Sequence, residues 1–187
     1  MRIDRLRKNY EIEVRWTAFP LHPDTPEDGL TLEELFAGRS VDTKKIMSHL
    51  KEVADNLGLP LAERKKTYNS RLAQELAKWA ALKGRGDPFH KAVFRAYYVD
   101  GKNIGKVDEL IDLAKSIGLP EEEARSVLES RKFKEAVDSD WSRSRALGVT
   151  AVPTFVADQH AVVGAQTYEV LEQFLIYCGA KKSENPD

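Results

Sequence analysis

From Glu11 to Phe19 the chain alternates strictly, with Ile12, Val14, Trp16 and Ala18 on one side and Glu11, Glu13, Arg15 and Thr17 on the other. A period of two, carried by β-branched and aromatic residues, predicts a strand with one buried face. The next ten residues, PLHPDTPEDG, hold three prolines and a glycine and read as a loop. Ahead of the strand, RIDRLRKNY reads as the last turns of a helix.

Helical periodicity then takes over. TLEELF sets Thr31 and Glu34 at capping-box spacing. DTKKIMSHLKEVADNLG puts Ile46, Leu50, Val53, Ala54 and Leu57 on one face and stops at Gly58. NSRLAQELAKWAALKG repeats the design with Leu72, Leu76, Trp79 and Ala80. DPFHKAVFRAYYVDG offers Asp87 as a cap, with Pro88 at the first helical position. KVDELIDLAKSIG, LPEEEARSVLES and KFKEAVDSDWSRSRALG complete the series, which is expected to pack as one helical layer. The end returns to strands. TFVA and AVV flank DQH as a hairpin, Thr167 caps a last helix, and KKSENPD reads as a frayed polar tail.

Composition narrows the function classes. The chain has 187 residues, 42% apolar and 32% charged, with a formal net charge of −1. That balance gives no electrostatic case for nucleic acid or an anionic membrane. No apolar run approaches a bilayer span, and no apolar segment follows the first residues, so a cytoplasmic location is expected. One cysteine excludes an internal disulfide, and the four histidines lack metal-ligand spacing.

Five stretches together carry a resemblance: VRWTAFPLHPDTPEDG, YNSRLAQELAKWA, FHKAVFRAYY, NIGKVDELIDLAKSIGL and GVTAVPTFV…VVGAQTYEVLEQFL. They resemble the DsbA-like branch of the thioredoxin superfamily, specifically the FrnE-type and 2-hydroxychromene-2-carboxylate isomerase-like proteins. The resemblance implies an α/β, thioredoxin-like sheet with a large inserted all-helical domain. The boundaries expected from it are residues 1–29 and 148–180 for the thioredoxin-like part, 30–147 for the insertion, and 181–187 for a disordered tail. In relatives a first strand is central to the sheet. It leads to a helix whose N-terminus bears a C-x-x-C or a serine, where the dipole favours a thiolate.

In this chain RIDRLRKNY matches the tail of that helix, and the first strand and nucleophile segment have no counterpart. Three explanations stay open: a start read late at Met1, a natural redox-dead relative, or a segment of the cellular protein that this chain omits. Unpaired backbone in a dry core costs about 1–3 kcal/mol per group, so the sheet is expected to be rescued by direct pairing, local rearrangement or a second copy.

For the site, the resemblance implies a cis Val152–Pro153 bond beside Ala151. The Val152 N–H and C=O would then pair with an extended thiol peptide as an added strand. Gly164, Ala165 and Gln166 precede the last helix, where free N–H groups could hold a carboxylate such as glutathione's. The kappa-class transferases and the isomerases share that layout, but GAQTY lacks their acidic–basic pair. Asn69 and Arg71 either cap a helix or face a cleft between the insertion and the thioredoxin part. His22 reads as a loop-fixing residue, His90 as packing or surface, and Cys178 as a buried small hydrophobe.

The expected function is that of a DsbA-family thiol–disulfide oxidoreductase of the FrnE type whose 187 residues hold no catalytic dithiol, leaving it redox-inactive by itself. A glutathione-dependent isomerase or transferase, with glutathione as cofactor, and a non-enzymatic peptide- or partner-binding module are the alternatives. A thiol or disulfide peptide is the expected partner, with a homodimer completing the sheet.

Overall fold

The computed structural model describes residues 2–38 and 42–184. In chain order the elements are α1 (Arg2–Asn9), β1 (Leu30–Thr31), α2 (Leu32–Leu35), α3 (Thr43–Asn56), β2 (Lys66–Thr67), α4 (Arg71–Leu82), α5 (Gly86–Tyr98), α6 (Val107–Ser116), α7 (Glu121–Glu129), α8 (Lys134–Ala146), β3 (Thr154–Ala157), β4 (His160–Val163) and α9 (Tyr168–Tyr177). They divide into two compact units, 1–21 with 140–187, and 22–139. The boundaries expected at 29/30 and 147/148 are thus displaced, and the second division falls inside α8.

The core of the 22–139 unit takes in the stripe that periodicity marks on α4, whereas the stripe marked on α3 stays outside it, with Ile46, Leu50, Val53 and Leu57 exposed. Leu76, Trp79 and Ala80 of α4 pack with Phe89, Leu110, Ile111, Ala114, Ala124 and Leu128. Thr31 and Glu34 form the expected capping box, each side chain bonded to the other's backbone N–H. The start of α5 differs from expectation. Gly84 adopts φ +68°, and Arg85 N–H bonds to the Ala80 carbonyl. This short link brings the helix in two residues early, with Arg85 as cap in place of Asp87. Pro88 still falls in the first turn, where its missing N–H leaves no helical bond unmade. A two-residue ladder, Leu30 with Thr67 and Thr31 with Lys66, escapes sequence reading because it is too short to show a period.

In the unit formed by 1–21 and 140–187, α1 and α9 pack through Leu6, Tyr10, Tyr168 and Leu171, with Ile3, Ile12, Phe155 and Leu175 alongside. Two expectations are overturned in this unit. Glu11–Phe19 is not a strand: no ladder runs along it. Its alternation survives in part, since Ile12 and Val14 are half-buried while Glu11, Glu13 and Arg15 are exposed, but Trp16 is exposed too. Alternation states which side chains seek cover; a strand also needs backbone partners, and here side chains supply them. Ala18 N–H donates to Asp140 Oδ2 at 2.8 Å, Arg15 reaches Asp140 Oδ1 at 3.5 Å, and Arg7 donates to the Val14 carbonyl at 3.3 Å. The tail is the second correction. Glu11 N–H donates to the Lys181 carbonyl and Ser183 N–H to the Asn9 carbonyl, both at 2.9 Å, so 181–183 are tied antiparallel to 9–11. Residues 185–187 of the expected frayed tail lie outside the described residues. The hairpin tip is also shorter than DQH, because His160 pairs with Ala157 and leaves Asp158 and Gln159 as the turn.

Candidate functional site

The approach to β3 is an exposed bend. Ala151, Val152 and Pro153 are all exposed, and the Val152–Pro153 peptide bond is cis. Thr154 Oγ1 donates to the Ala151 carbonyl at 2.7 Å and closes the bend from inside the chain. Gly164 N–H then donates to the Pro153 carbonyl at 2.7 Å, extending the β3–β4 ladder by one rung.

That rung fixes which backbone groups are free. In an antiparallel pair, opposed residues alternate between bonded and non-bonded rungs. With Pro153–Gly164 bonded, the pairs Phe155–Val162 and Ala157–His160 are bonded as well. Thr154 and Val156 therefore turn their N–H and C=O groups away from β4. Val152 continues that parity, and its backbone groups have no backbone partner among the described residues. The result is an open row of donors and acceptors, Val152, Thr154 and Val156, with Val152 and Val156 exposed above it. Phe155 points to the other side, into the α1–α9 core. Sequence reading singled out Val152 and its neighbours but passed over Thr154 and Val156. The two-residue hairpin tip was the signal that would have set their parity.

The turn before α9 is more occupied than its sequence suggests. Gln166 N–H donates to the Gly164 carbonyl at 2.9 Å, and its side-chain Nε2 to the Val163 carbonyl at 2.6 Å. Ala165 is exposed, and Gly164 sits at φ +93°. Thr167 caps the helix by accepting from Val170 N–H at 3.4 Å. Glu169 is already at this helix N-terminus. A bond from its own backbone N–H, with the Thr167 hydroxyl and the charges of Arg5 and Arg2, holds its carboxyl below the ordinary range. A resident carboxylate thus takes the position an incoming one would use.

Asn69 and Arg71 hold structure within the 22–139 unit. Asn69 Oδ1 accepts from Arg71 N–H at 2.9 Å, and its Nδ2 donates to the carbonyls of Thr25 at 2.7 Å and Pro23 at 3.2 Å. Arg71 pairs with buried Glu75 at 2.6 Å and with Asp138 at 2.7 Å. His22 meets the Phe36 ring edge-on, and His90 lies against Phe94. Cys178 is half-buried, with its Sγ 4.0 Å from the Ala157 carbonyl. Among the described residues no group of three or more His, Cys, Asp or Glu is placed to hold a metal ion, and no helix is long and apolar enough to cross a membrane.

A cis-proline bend opening a hairpin that a helix closes, joined to a helical unit inserted in sequence, is the layout the sequence resemblance implies. The model of the DSBA-like thioredoxin domain matches residues 1–176. The chain belongs to that family. Among its relatives, the uncharacterised protein YwbO of Bacillus subtilis (strain 168) is 25% identical over 171 residues, 89% of this chain and 82% of that protein. The crystal structure of a probable DsbA oxidoreductase, SCO1869 of Streptomyces coelicolor, is 27% identical with a TM-score of 0.81, over 90% of this chain and 76% of that one. A 2-hydroxychromene-2-carboxylate isomerase shares the fold at 19% identity and a TM-score of 0.72, over 95% of this chain and 85% of its own. Within this DsbA-like oxidoreductase family, the present chain has one cysteine and hence no cysteine pair.

Proposed function

We propose that this chain docks an extended thiol- or disulfide-bearing peptide along Val152, Thr154 and Val156, and that these 187 residues carry out no dithiol exchange by themselves. The observation that carries the reading is the open row of backbone donors and acceptors on β3. A peptide can add to it as a strand, with affinity from the main chain and selectivity from side chains at alternate positions. The plain character of Ala151, Val152 and Val156 fits recognition of that kind. DsbA-type exchange passes through a mixed disulfide that a second thiol resolves. Cys178 has no second cysteine to resolve such an intermediate, and it sits at the end of α9 against the carbonyl that closes β3, away from the exposed bend.

Calorimetry with an extended cysteine-containing peptide tests the docking half. Binding is expected, and N-methylation of alternate peptide nitrogens in one parity is expected to abolish it, while methylation in the other parity leaves it intact. Equal binding of both methylated peptides would overturn strand addition. Insulin reduction tests the chemical half, with turnover at the level of a Cys178→Ser control as the expected result. Glutathione is the counter-probe. With Glu169 at the start of α9 and Gln166 internally bonded, no heat of glutathione binding is expected, and tight binding would favour a glutathione-dependent enzyme instead.

A further inference from the structure

A groove of about 750 Å³ lies between the end of α4 and the length of α7. Its floor is apolar, formed by Trp79, Val127 and Phe133, and Leu82 stands at its edge, 77% exposed. The turn after α7 builds one wall. Arg131 holds φ +52° there and sends its side chain to buried Glu75, while Lys132 and Phe133 line the groove.

Polar groups in this groove stand without protein partners among the described residues. Trp79 is only 4% exposed, yet its indole N–H donates to no protein group. That N–H is not sealed from solvent either, since the sealed side-chain atoms without a partner are Arg64 Nε and Thr67 Oγ1. Buried tryptophans ordinarily find an acceptor, and the groove is where Trp79 can meet one. The Glu122 carboxylate and the Lys132 ammonium, both lining the groove, make no ion pair. Lys83 differs, because Glu123 holds it at 2.6 Å and it lies 5.9 Å from the Trp79 ring centroid.

The unpaired charges are ordered along the groove. Glu122 is in the first turn of α7 and Lys132 just past its end, on the order of 12 Å away along the axis. An extended chain advances about 3.3 Å per residue, so a tetrapeptide spans that distance between its own ends. Its ammonium meets Glu122, its carboxylate meets Lys132, a carbonyl accepts from the Trp79 N–H, and apolar side chains cover the floor. A fatty or aromatic acid would serve Lys132 alone and leave Glu122 and the indole N–H unserved. We propose that the α4–α7 groove is a binding site for short apolar peptides with free termini, held between Glu122 and Lys132 over Trp79. The proposal is independent of docking along β3, since its residues lie in the 22–139 unit and none is on the hairpin.

Titration of the ¹⁵N-labelled full chain with leucyl-alanyl-alanyl-leucine reads the site through the Trp79 indole N–H resonance, assigned by triple-resonance spectra. The resonance is expected to move and to approach saturation by about 5 mM peptide, as for a dissociation constant of about 1 mM or less. Acetylating the amine or amidating the carboxyl should each weaken binding roughly tenfold. Lys132→Ala is expected to weaken the free peptide roughly tenfold and to leave the amidated one unchanged. Glu122→Ala should do the same for the amine, with the acetylated peptide unchanged. Both residues are exposed, so neither substitution threatens the fold. A Trp79 resonance unmoved by the peptide would overturn the proposal. So would equal affinity for free and doubly blocked peptides, or a Lys132→Ala chain that still prefers the free carboxylate as the unsubstituted chain does.

Discussion

Arg131 grips Glu75 through one edge of its guanidinium, Nε to Oε2 at 2.8 Å and Nη2 to Oε1 at 2.6 Å, from a backbone held at φ +52°. Arg71 adds a third bond to the same carboxylate at 2.6 Å. Burial alone would push the Glu75 carboxyl up, but the bonds and charges of Arg131 and Arg71 outweigh it and hold it below the ordinary 4.5. A depressed folded-state value contributes stability that is present above the unfolded value and is lost as pH falls through the folded one. Glu75→Gln is therefore expected to cost about 3 kcal/mol at neutral pH, by leaving two guanidiniums around an uncharged partner. Urea unfolding at pH 7 and below about pH 4 checks it, with the gap between the two proteins narrowing in acid.

Gly29 offers a sharper steric prediction. It sits at φ +74°, and an added Cβ would meet Tyr68 Cδ1 at 2.5 Å and the Thr67 carbonyl at 2.6 Å. The neighbour is the backbone of β2, which cannot swing aside as a long side chain can. Gly29→Ala is expected to destabilise the β1–β2 region by about 2 kcal/mol or more, through left-handed strain and the clash together. A melting temperature equal to that of the unsubstituted chain would refute this.

What could be read from the sequence follows where the information lies. The existence of the helices of the 22–139 unit was legible from local periodicity and local glycine stops, and on α4 the stripe of Leu76 and Trp79 also gave the buried face, whereas the equally periodic stripe of α3 is exposed. The capping box at Thr31 and Glu34 and the cap at Thr167 are contained within four residues and were legible for the same reason. The stretch Glu11–Phe19 misled, because its alternation records burial while its hydrogen-bond partners, led by Asp140, lie more than a hundred residues away. Glu75 lies on α4 among residues read only for their apolar stripe, and Arg131 is remote from it in sequence. Nothing local announces that pair. At the candidate site, Val152 and Pro153 were found through resemblance, whereas Thr154 and Val156 follow only once the register of the hairpin is known.

His90 predicts a pH effect of the opposite chemical kind. Burial against Phe94 and its neighbours lowers its pKa from the ordinary 6.5, with Asp87 opposing. The folded state thus resists the proton that the unfolded chain accepts. Stability is complete above about pH 6.5 and declines as pH falls through that value toward the lower folded one. His90→Gln removes this decline. The advantage of the unsubstituted protein in melting temperature, measured at pH 7.5, is expected to shrink at pH 5.5; an advantage that grows in acid would contradict the burial argument.

Asp140 decides whether side chains can stand in for a ladder along 11–19. It is almost fully buried, accepts from Ala18 N–H and faces Arg15, while Ser144 Oγ donates to the Ala18 carbonyl at 3.4 Å. Both backbone groups of Ala18 are thus served by α8. Asp140→Ala leaves the Ala18 N–H without its charged acceptor and a small void behind it, at a cost of about 1–3 kcal/mol, since hydrogen bonds to charged groups are the stronger kind. Asp140→Asn keeps the volume and one acceptor oxygen and should recover most of that loss. Hydrogen exchange is the discriminating measurement, because the two substitutions differ in bonding to one amide. Exchange at Ala18 is expected to accelerate by roughly tenfold or more in Asp140→Ala and by much less in Asp140→Asn, following the free energy of local opening. Equal protection in both variants would mean that burial of Ala18 and Phe19, not the carboxylate, holds the segment in place.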